Sequence, residues 1–203
     1  DQRIAEPRDD MISDLVRAEI VAGAGTRRLT AEESTQFALL LYTAGTETVA
    51  KLLGNAAVVL ADCPDQRREL VKDRQAIPNA VEELLRFEPP SPINGRWSTS
   101  DVSLHGVEIP KGSKVLLLTG SAGRDDRVYV DPDRFDVHRH TPRHLSFGHG
   151  AHFCIGAALA RLEGKIAIEE TLVRFPEWGI DPTGLRRAHT STVRGYRQVP
   201  VLL

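Results

Sequence analysis

The pattern that most constrains this chain is a helix too long for an ordinary small domain. Thr30 followed by Glu33 has capping-box spacing, and the helical pattern it opens runs to about Leu60, where "CPD" closes it. A helix of about 30 residues spans about 45 Å, so this segment is expected to cross the centre of the molecule, with the rest packed around it. Within it, "TAGTETV" (residues 43–49) puts Gly45 and threonines where helix propensity favours alanine or leucine. Gly45 reads either as the place where a neighbouring helix packs closely or as a residue kept for function.

Around that helix the chain reads as mainly α with a small β component. Met11, Leu15, Ala18, Ile20 and Val21 predict a helix over residues 9–22, stopped by "GAG". "CPDQRRELVKD" predicts a short helix with Pro64 in its first turn, and "IPNAVEELLRF" another over about 78–87, ended by "EPPSP". Residues 102–119 carry two strand-like segments punctuated by glycine. From Arg124 to Gly150 the chain is rich in Pro and Asp and lacks periodicity, and irregular stretches of that length are usually functional. Helical pattern returns over about 157–175, before a polar tail able to form strands.

Composition narrows the function classes. With 203 residues, 41% hydrophobic and 27% charged, the chain is globular and able to bury a core. A net charge of -2 gives no reason to expect nucleic acid or an anionic membrane as partner. Two cysteines are too few for a disulfide framework, and no secretory leader pattern is seen, so a cytoplasmic location is expected. Apolar runs such as "FALLLY" fall well short of the roughly 20 residues that span a bilayer. A helix-like pattern follows Asp1 at once, which reads as a chain beginning in mid-fold.

The chemistry concentrates in "FGHGAHFCIG", residues 147–156. Cys154 sits three residues before the helix expected at Ala157, where unpaired N–H groups and the helix dipole favour negative charge, so its thiol leans toward thiolate. Gly148, Gly150 and Gly156 imply a sharply bent backbone or the close approach of a ligand. A thiolate so placed suits a nucleophile, with His149 or His152 as base, a zinc ligand or an axial iron ligand. Zinc is disfavoured: five of the seven histidines (His138, His140, His144, His149, His152) crowd nearby, but only one cysteine does. A buried, inert Cys154 would leave the glycines unexplained.

Phe147, Gly150, Cys154 and Gly156 reproduce the F-x-x-G-x-x-x-C-x-G signature of the cytochrome P450 family, the haem-thiolate monooxygenases. "AGTET" (residues 44–48) resembles that family's oxygen-activating segment, "EELLR" contains its E-x-x-R pair as Glu83 and Arg86, and "DPDRF" resembles the segment supplying a further arginine, Arg134. The resemblance covers essentially the whole chain and fits the soluble bacterial type. It implies haem b (iron protoporphyrin IX) with Cys154 as axial ligand, favouring O–O cleavage, and Phe147, Gly148, Gly150 and Gly156 around the sulfur. It implies Thr48 and Glu47 as catalytic residues relaying protons, with Ala44 and Gly45 leaving room for O2. Arg96 and His152 would meet the haem propionates, although Arg96 also reads as a surface arginine on a strand. Glu83, Arg86 and Arg134 would form a structural Glu–Arg–Arg network. Leu40, Leu41, Ile93, Asn94, Thr192 and Val193 correspond to substrate-facing segments, and a ferredoxin or flavodoxin-like electron donor would dock near His149. His138, His140, His144 and His149 otherwise read as surface or turn residues, and Cys63 has no assigned role.

Family members are about twice this length, so the resemblance implies a partial P450 domain with its N-terminal half absent, to be supplied in cis or by a partner chain. The expected function is oxidation of a small apolar or amphipathic molecule with O2. The competing reading is a non-catalytic haem-binding or partner-binding domain.

Overall fold

The computed structural model describes residues 2–23, 25–140 and 144–203; Asp1, Ala24 and residues 141–143, the last inside the long irregular stretch, lie outside the described residues. Two compact units divide the chain between Glu47 and Thr48.

The first unit opens with helices α1 (Gln2–Ala5) and α2 (Met11–Arg17). Asp10 caps α2, accepting the Ser13 N–H at 2.9 Å. The helix expected over 9–22 ends there: Ala18 takes ψ 132°, and strand β1 (Glu19–Ala22) follows. The β-branched Ile20 and Val21 pair instead with Arg27 and Thr26 of strand β2 (Gly25–Arg28), and Gly23 turns at φ +64°. Then the capping box forms: the Glu33 N–H donates to Thr30 Oγ1 at 3.1 Å and the Thr30 N–H to Glu33 Oε2 at 2.9 Å. Both terminal nitrogens of Arg27 hold the same carboxylate at 2.7 Å. The helix so started, α3, runs Ala31–Asp62. Its threonines are tolerated by bonding back one turn, Thr43 Oγ1 to the Leu39 carbonyl at 2.8 Å and Thr46 Oγ1 to that of Tyr42 at 2.9 Å.

In the second unit, α3 from Thr48 onward is joined by α4 (Pro64–Lys72) and α5 (Ile77–Phe87), each with proline in its first turn. Strand β3 (Asn94–Trp97) then leads to the hairpin of β4 (Val102–Leu104) and β5 (Val107–Ile109), closed through His105 and Gly106 at φ 51° and 79°. Strand β6 (Lys114–Leu117) returns antiparallel to β3, with Arg96 opposite Val115. The short α6 (Thr119–Ala122) precedes the irregular stretch, and α7 (Ala157–Arg174) follows it. Strands β7 (Gly179–Ile180), β8 (Arg186–Arg187), β9 (Tyr196–Gln198) and β10 (Val201–Leu202) pair as β7 with β10 and β8 with β9.

The core gathers Leu52, Ala56, Val59 and Leu60 of α3, Leu70 of α4, Val81 and Leu84 of α5, and Ile168 and Leu172 of α7. At Gly164 α7 packs tightly against α5 and α3: a Cβ there would stand 3.3 Å from Val81 and 3.5 Å from Leu52. An apolar groove of about 350 Å³, lined by Leu53, Ala57 and Leu60 on one side and Ile168, Thr171 and Phe175 on the other, opens between α3 and α7.

A charged network lies beneath this core. Glu83 and Arg86, both fully buried, meet bidentately at 2.6 and 2.7 Å. Arg86 also donates to the carbonyls of Gly123 at 2.6 Å, Pro132 at 2.8 Å and Arg134 at 3.3 Å. The second guanidinium on Glu83 is not that of Arg134. It belongs to Arg139, whose Nε lies 3.0 Å from Oε1, beside the Asp136 N–H at 3.1 Å. The Arg134 side chain is 67% exposed, toward Asp136 at 3.8 Å, and only its carbonyl joins the network. The reason is backbone direction: the segment turns its carbonyls inward at 130–134, and Arg139 reaches back to bind those of Val130, Asp131 and Arg134.

Breaking a buried charge network leaves an uncompensated ion. Arg139→Ala is therefore expected to lower stability by about 3 kcal/mol, against under about 0.5 kcal/mol for Arg134→Ala, as measured by urea unfolding of the two variants.

Candidate functional site: the Cys154 loop

The loop before α7 closes on itself through its backbone. The Cys154 N–H donates to the Phe147 carbonyl at 2.9 Å, the Gly148 N–H to Leu145 at 2.9 Å and the Phe153 N–H to Gly150 at 3.0 Å. Gly148 and Gly150 take φ +73° and +72°, a region costly to residues with a Cβ. Gly156, at φ -86°, caps α7 without a side-chain hydrogen bond, and a Cβ on it would lie 3.9 Å from Cys154 Sγ. The thiol therefore stands at the N-terminal end of an 18-residue helix, exposed and unoxidised, in the field of that helix's free N–H groups.

Side chains brace the loop from below. Phe147 packs against the core, with Phe153 edge-on at 6.3 Å, His144 at 5.8 Å and the Arg161 guanidinium 4.6 Å from its ring centre. Arg161 grips Glu82 at 2.6 and 2.9 Å, and His144 Nε2 meets the same carboxylate at 3.0 Å. Burial pushes the Glu82 pKa up, but the hydrogen bonds of His144 and Arg161 and the charge of Arg161 outweigh it and hold it at about 2. His144 is thus not the surface or turn histidine expected: it is 7% exposed and bonded on both ring nitrogens. His138 pairs with Glu69 at 2.5 Å, while His140, His149 and His152 are exposed. Among the described residues no three His, Cys, Asp or Glu converge as metal ligands, so the crowded histidines do not assemble a multidentate site there. One exposed thiol at a helix N-terminus, flanked by the exposed apolar side chains of Phe153 and Ile155, fits a flat apolar group held through a single bond to sulfur.

Thr48 lies toward the same end of the second unit. Leu52 meets α7 at Gly164, and farther along Leu60 shares the groove with Ile168 and Thr171, so α3 and α7 progress in the same direction. Thr48, one turn before Leu52, is thereby placed toward the N-terminal end of α7, where Cys154 stands. Lys51 and Asn55, on the helical face of Thr48, bind the carbonyls of Tyr196 at 3.2 Å and Glu88 at 3.0 Å. The Arg194 N–H joins the Pro90 carbonyl at 2.7 Å, setting the loop of Thr192 and Val193 beside the segment of Ile93 and Asn94. Arg96 is half-exposed on β3 and binds its neighbour's carbonyl, that of Gly95, at 2.8 Å. Leu40, Leu41, Ala44, Gly45 and Glu47 lie on α3 within the first unit. A Cβ built on Gly45 meets nothing within 4 Å, so no described neighbour packs there.

Arg139, Glu82 and Arg161 were not singled out from the sequence, and His144 was read only as a surface or turn residue. Arg139 follows its expected counterpart by five residues in a stretch without periodicity. Glu82 and Arg161 had a weak signal: a carboxylate beside Glu83, and a cation one turn into the helix after the loop.

The sequence profile of the cytochrome P450 family matches residues 1–186, and the chain belongs to that family. It is 42% identical over 205 residues to the 6-deoxyerythronolide B hydroxylase of Saccharopolyspora erythraea, covering all of this chain and 50% of that protein. To the biotin biosynthesis cytochrome P450 of Bacillus subtilis it is 38% identical, over 98% of this chain and 49% of the relative. A mutant of P450 EryK in complex with erythromycin B superposes at TM-score 0.92 with 41% identity, over 99% of this chain and 51% of that one. P450BioI bound to an acyl-carrier protein bearing hexadec-9Z-enoic acid superposes at 0.91 with 37% identity, over 100% and 50%. The chain thus spans about half the length of the relatives it matches. Family members hold haem b through a cysteine thiolate.

Because the folded-state pKa of Glu82 is depressed, its contribution is present above the unfolded value of 4.5 and lost as pH falls toward about 2. Glu82→Gln is expected to flatten the acid limb of the stability profile between those values and leave its neutral region flat, as followed by unfolding at stepped pH.

Proposed function

We propose that this chain is the haem-bearing half of a monooxygenase that uses O2 and electrons from a ferredoxin or flavodoxin-like donor to oxidise a small apolar or amphipathic molecule. The observation that carries the reading is Cys154: an exposed thiol at the N-terminus of α7, presented by a loop with two left-handed glycines, in a chain of the P450 family. When bound, the haem would supply the oxidising chemistry.

The chain's own residues do the rest. Cys154 would hold the haem iron through its sulfur, and Gly156, where a Cβ would lie 3.9 Å from that sulfur, keeps its surroundings open. Thr48 holds the proton-bearing hydroxyl, and Glu47 is its acidic neighbour on α3. Ala44 and Gly45 keep that stretch of helix narrow. His152 and Arg96 would hold the propionates through charge-assisted bonds. Ile93, Asn94, Thr192 and Val193, with Leu40 and Leu41, are the substrate-facing positions, and the donor approaches the side of His149. No described helix is long and apolar enough to cross a membrane.

The groove between α3 and α7 is the seam for the N-terminal half of the fold, whose extent is given by the half-length coverage of the relatives. Within the first unit, Leu39, Leu40 and Tyr42 are 63%, 59% and 71% exposed.

The reduced haem-loaded protein with carbon monoxide is expected to show the strongly red-shifted Soret band of thiolate ligation, lost in Cys154→His. Thr48→Ala is expected to keep that band and consume electrons, with less product per electron. An unshifted band in the unaltered protein contradicts the ligand assignment, and an unchanged product ratio in Thr48→Ala contradicts the proton role.

A further inference from the structure

Neighbouring carboxylates on α5 do different work. Glu83 turns into the network that holds residues 130–139, whereas Glu82 turns to the loop and to α7. We propose that Glu82, with His144 and Arg161, is a positioning clamp that fixes Phe147 and thereby the direction and donor strength of the Cys154 thiolate. The proposal rests on the reading of Cys154 as the haem ligand.

The geometry forms one chain of contacts. The His144 Nδ1 accepts the Ser146 N–H at 3.3 Å, so the ring proton sits on Nε2 and is donated to Glu82 at 3.0 Å. Ser146 Oγ, in turn, donates to the Leu85 carbonyl of α5 at 2.6 Å, which ties the loop's entry to the same helix. Arg161 presents Nε and Nη2 to the carboxylate, and its guanidinium carbon lies 4.6 Å from the Phe147 ring centre. Phe147 then passes the constraint on, since its carbonyl takes the Cys154 N–H. A carboxylate with three donors, 30% exposed, thus sets two side chains that both contact Phe147, the residue bonded to the ligand's own backbone.

Charge follows the same path. The hydrogen bonds of Glu82, then the charges of Glu82 and Cys154, raise the Arg161 guanidinium above its ordinary pKa, against the effect of burial. Arg161 is thus placed to feel a charge on the Cys154 sulfur. Glu82 offsets that cation; without it, the guanidinium would withdraw electron density from the sulfur and favour the reduced metal.

The test uses the haem-loaded protein and three readouts: the red-shifted fraction of the reduced carbon monoxide complex, the midpoint potential, and the rate of haem transfer to apomyoglobin. In Glu82→Gln the red-shifted fraction is expected to fall, the potential to rise and haem loss to quicken about tenfold, the effect usual for an outer-shell partner. Arg161→Lys, which keeps the charge but loses the fork and the stacking face, is expected to shift the band with less change in potential. Leu172→Ala, buried at the far end of α7, is expected to lower the melting temperature and leave the band and potential unchanged. Glu82→Gln and Arg161→Lys with unaltered band, potential and haem-loss rate would overturn the proposal, as would a Leu172→Ala variant that reproduces their shifts. A missing red-shifted band in the unaltered protein is a separate result, which refutes the ligand assignment itself.

Discussion

The fully buried ion pair of Glu83 and Arg86 is the interaction on which the second unit depends. Two charges without solvent are tolerable only when every remaining donor and acceptor finds a partner. Here the requirement recruits the chain: Arg86 spends its other N–H groups on Gly123, Pro132 and Arg134, and Glu83 takes the Asp136 N–H and Arg139. A long stretch with no periodic secondary structure is thereby given a defined path, because its carbonyls and amides complete a charge pair on α5.

Helix α5 is accordingly the organising element rather than α3. It packs on α7 at Gly164, where the missing side chain lets the helices close, and it carries the carboxylates for both the irregular stretch and the ligand loop. The long α3 supplies a core face from Leu52 to Leu60 and, through Lys51 and Asn55, anchors the segments around Glu88 and Tyr196. On α3 and α7 several large apolar side chains stay exposed, Leu39, Leu40, Leu159 and Leu162 among them, in a chain spanning half the length of its relatives.

What was legible in the sequence was local. The capping box at Thr30 and Glu33, the first-turn prolines of α4 and α5, and the glycines of the loop each encode their structure within a few residues. The reading failed where distant partners decide. Ile20 and Val21 fit a helical spacing but enter a hairpin, because pairing with Arg27 and Thr26 overrides propensity. Arg134 fitted the expected motif, yet backbone direction gives the place to Arg139. His144 stood in a crowd of histidines, and only folding brings Glu82 within 3.0 Å of it. The division of the chain at Glu47 and Thr48, inside one helix, had no sequence signal at all.

The central claim is that the thiol at the N-terminus of α7 is the axial ligand of iron. X-ray absorption at the iron edge of the haem-loaded protein tests it most directly. A sulfur atom in the first coordination shell, replaced by oxygen or nitrogen in Cys154→Ser and retained in Cys63→Ser, is the predicted result. A shell of nitrogen and oxygen alone in the unaltered protein would contradict the account.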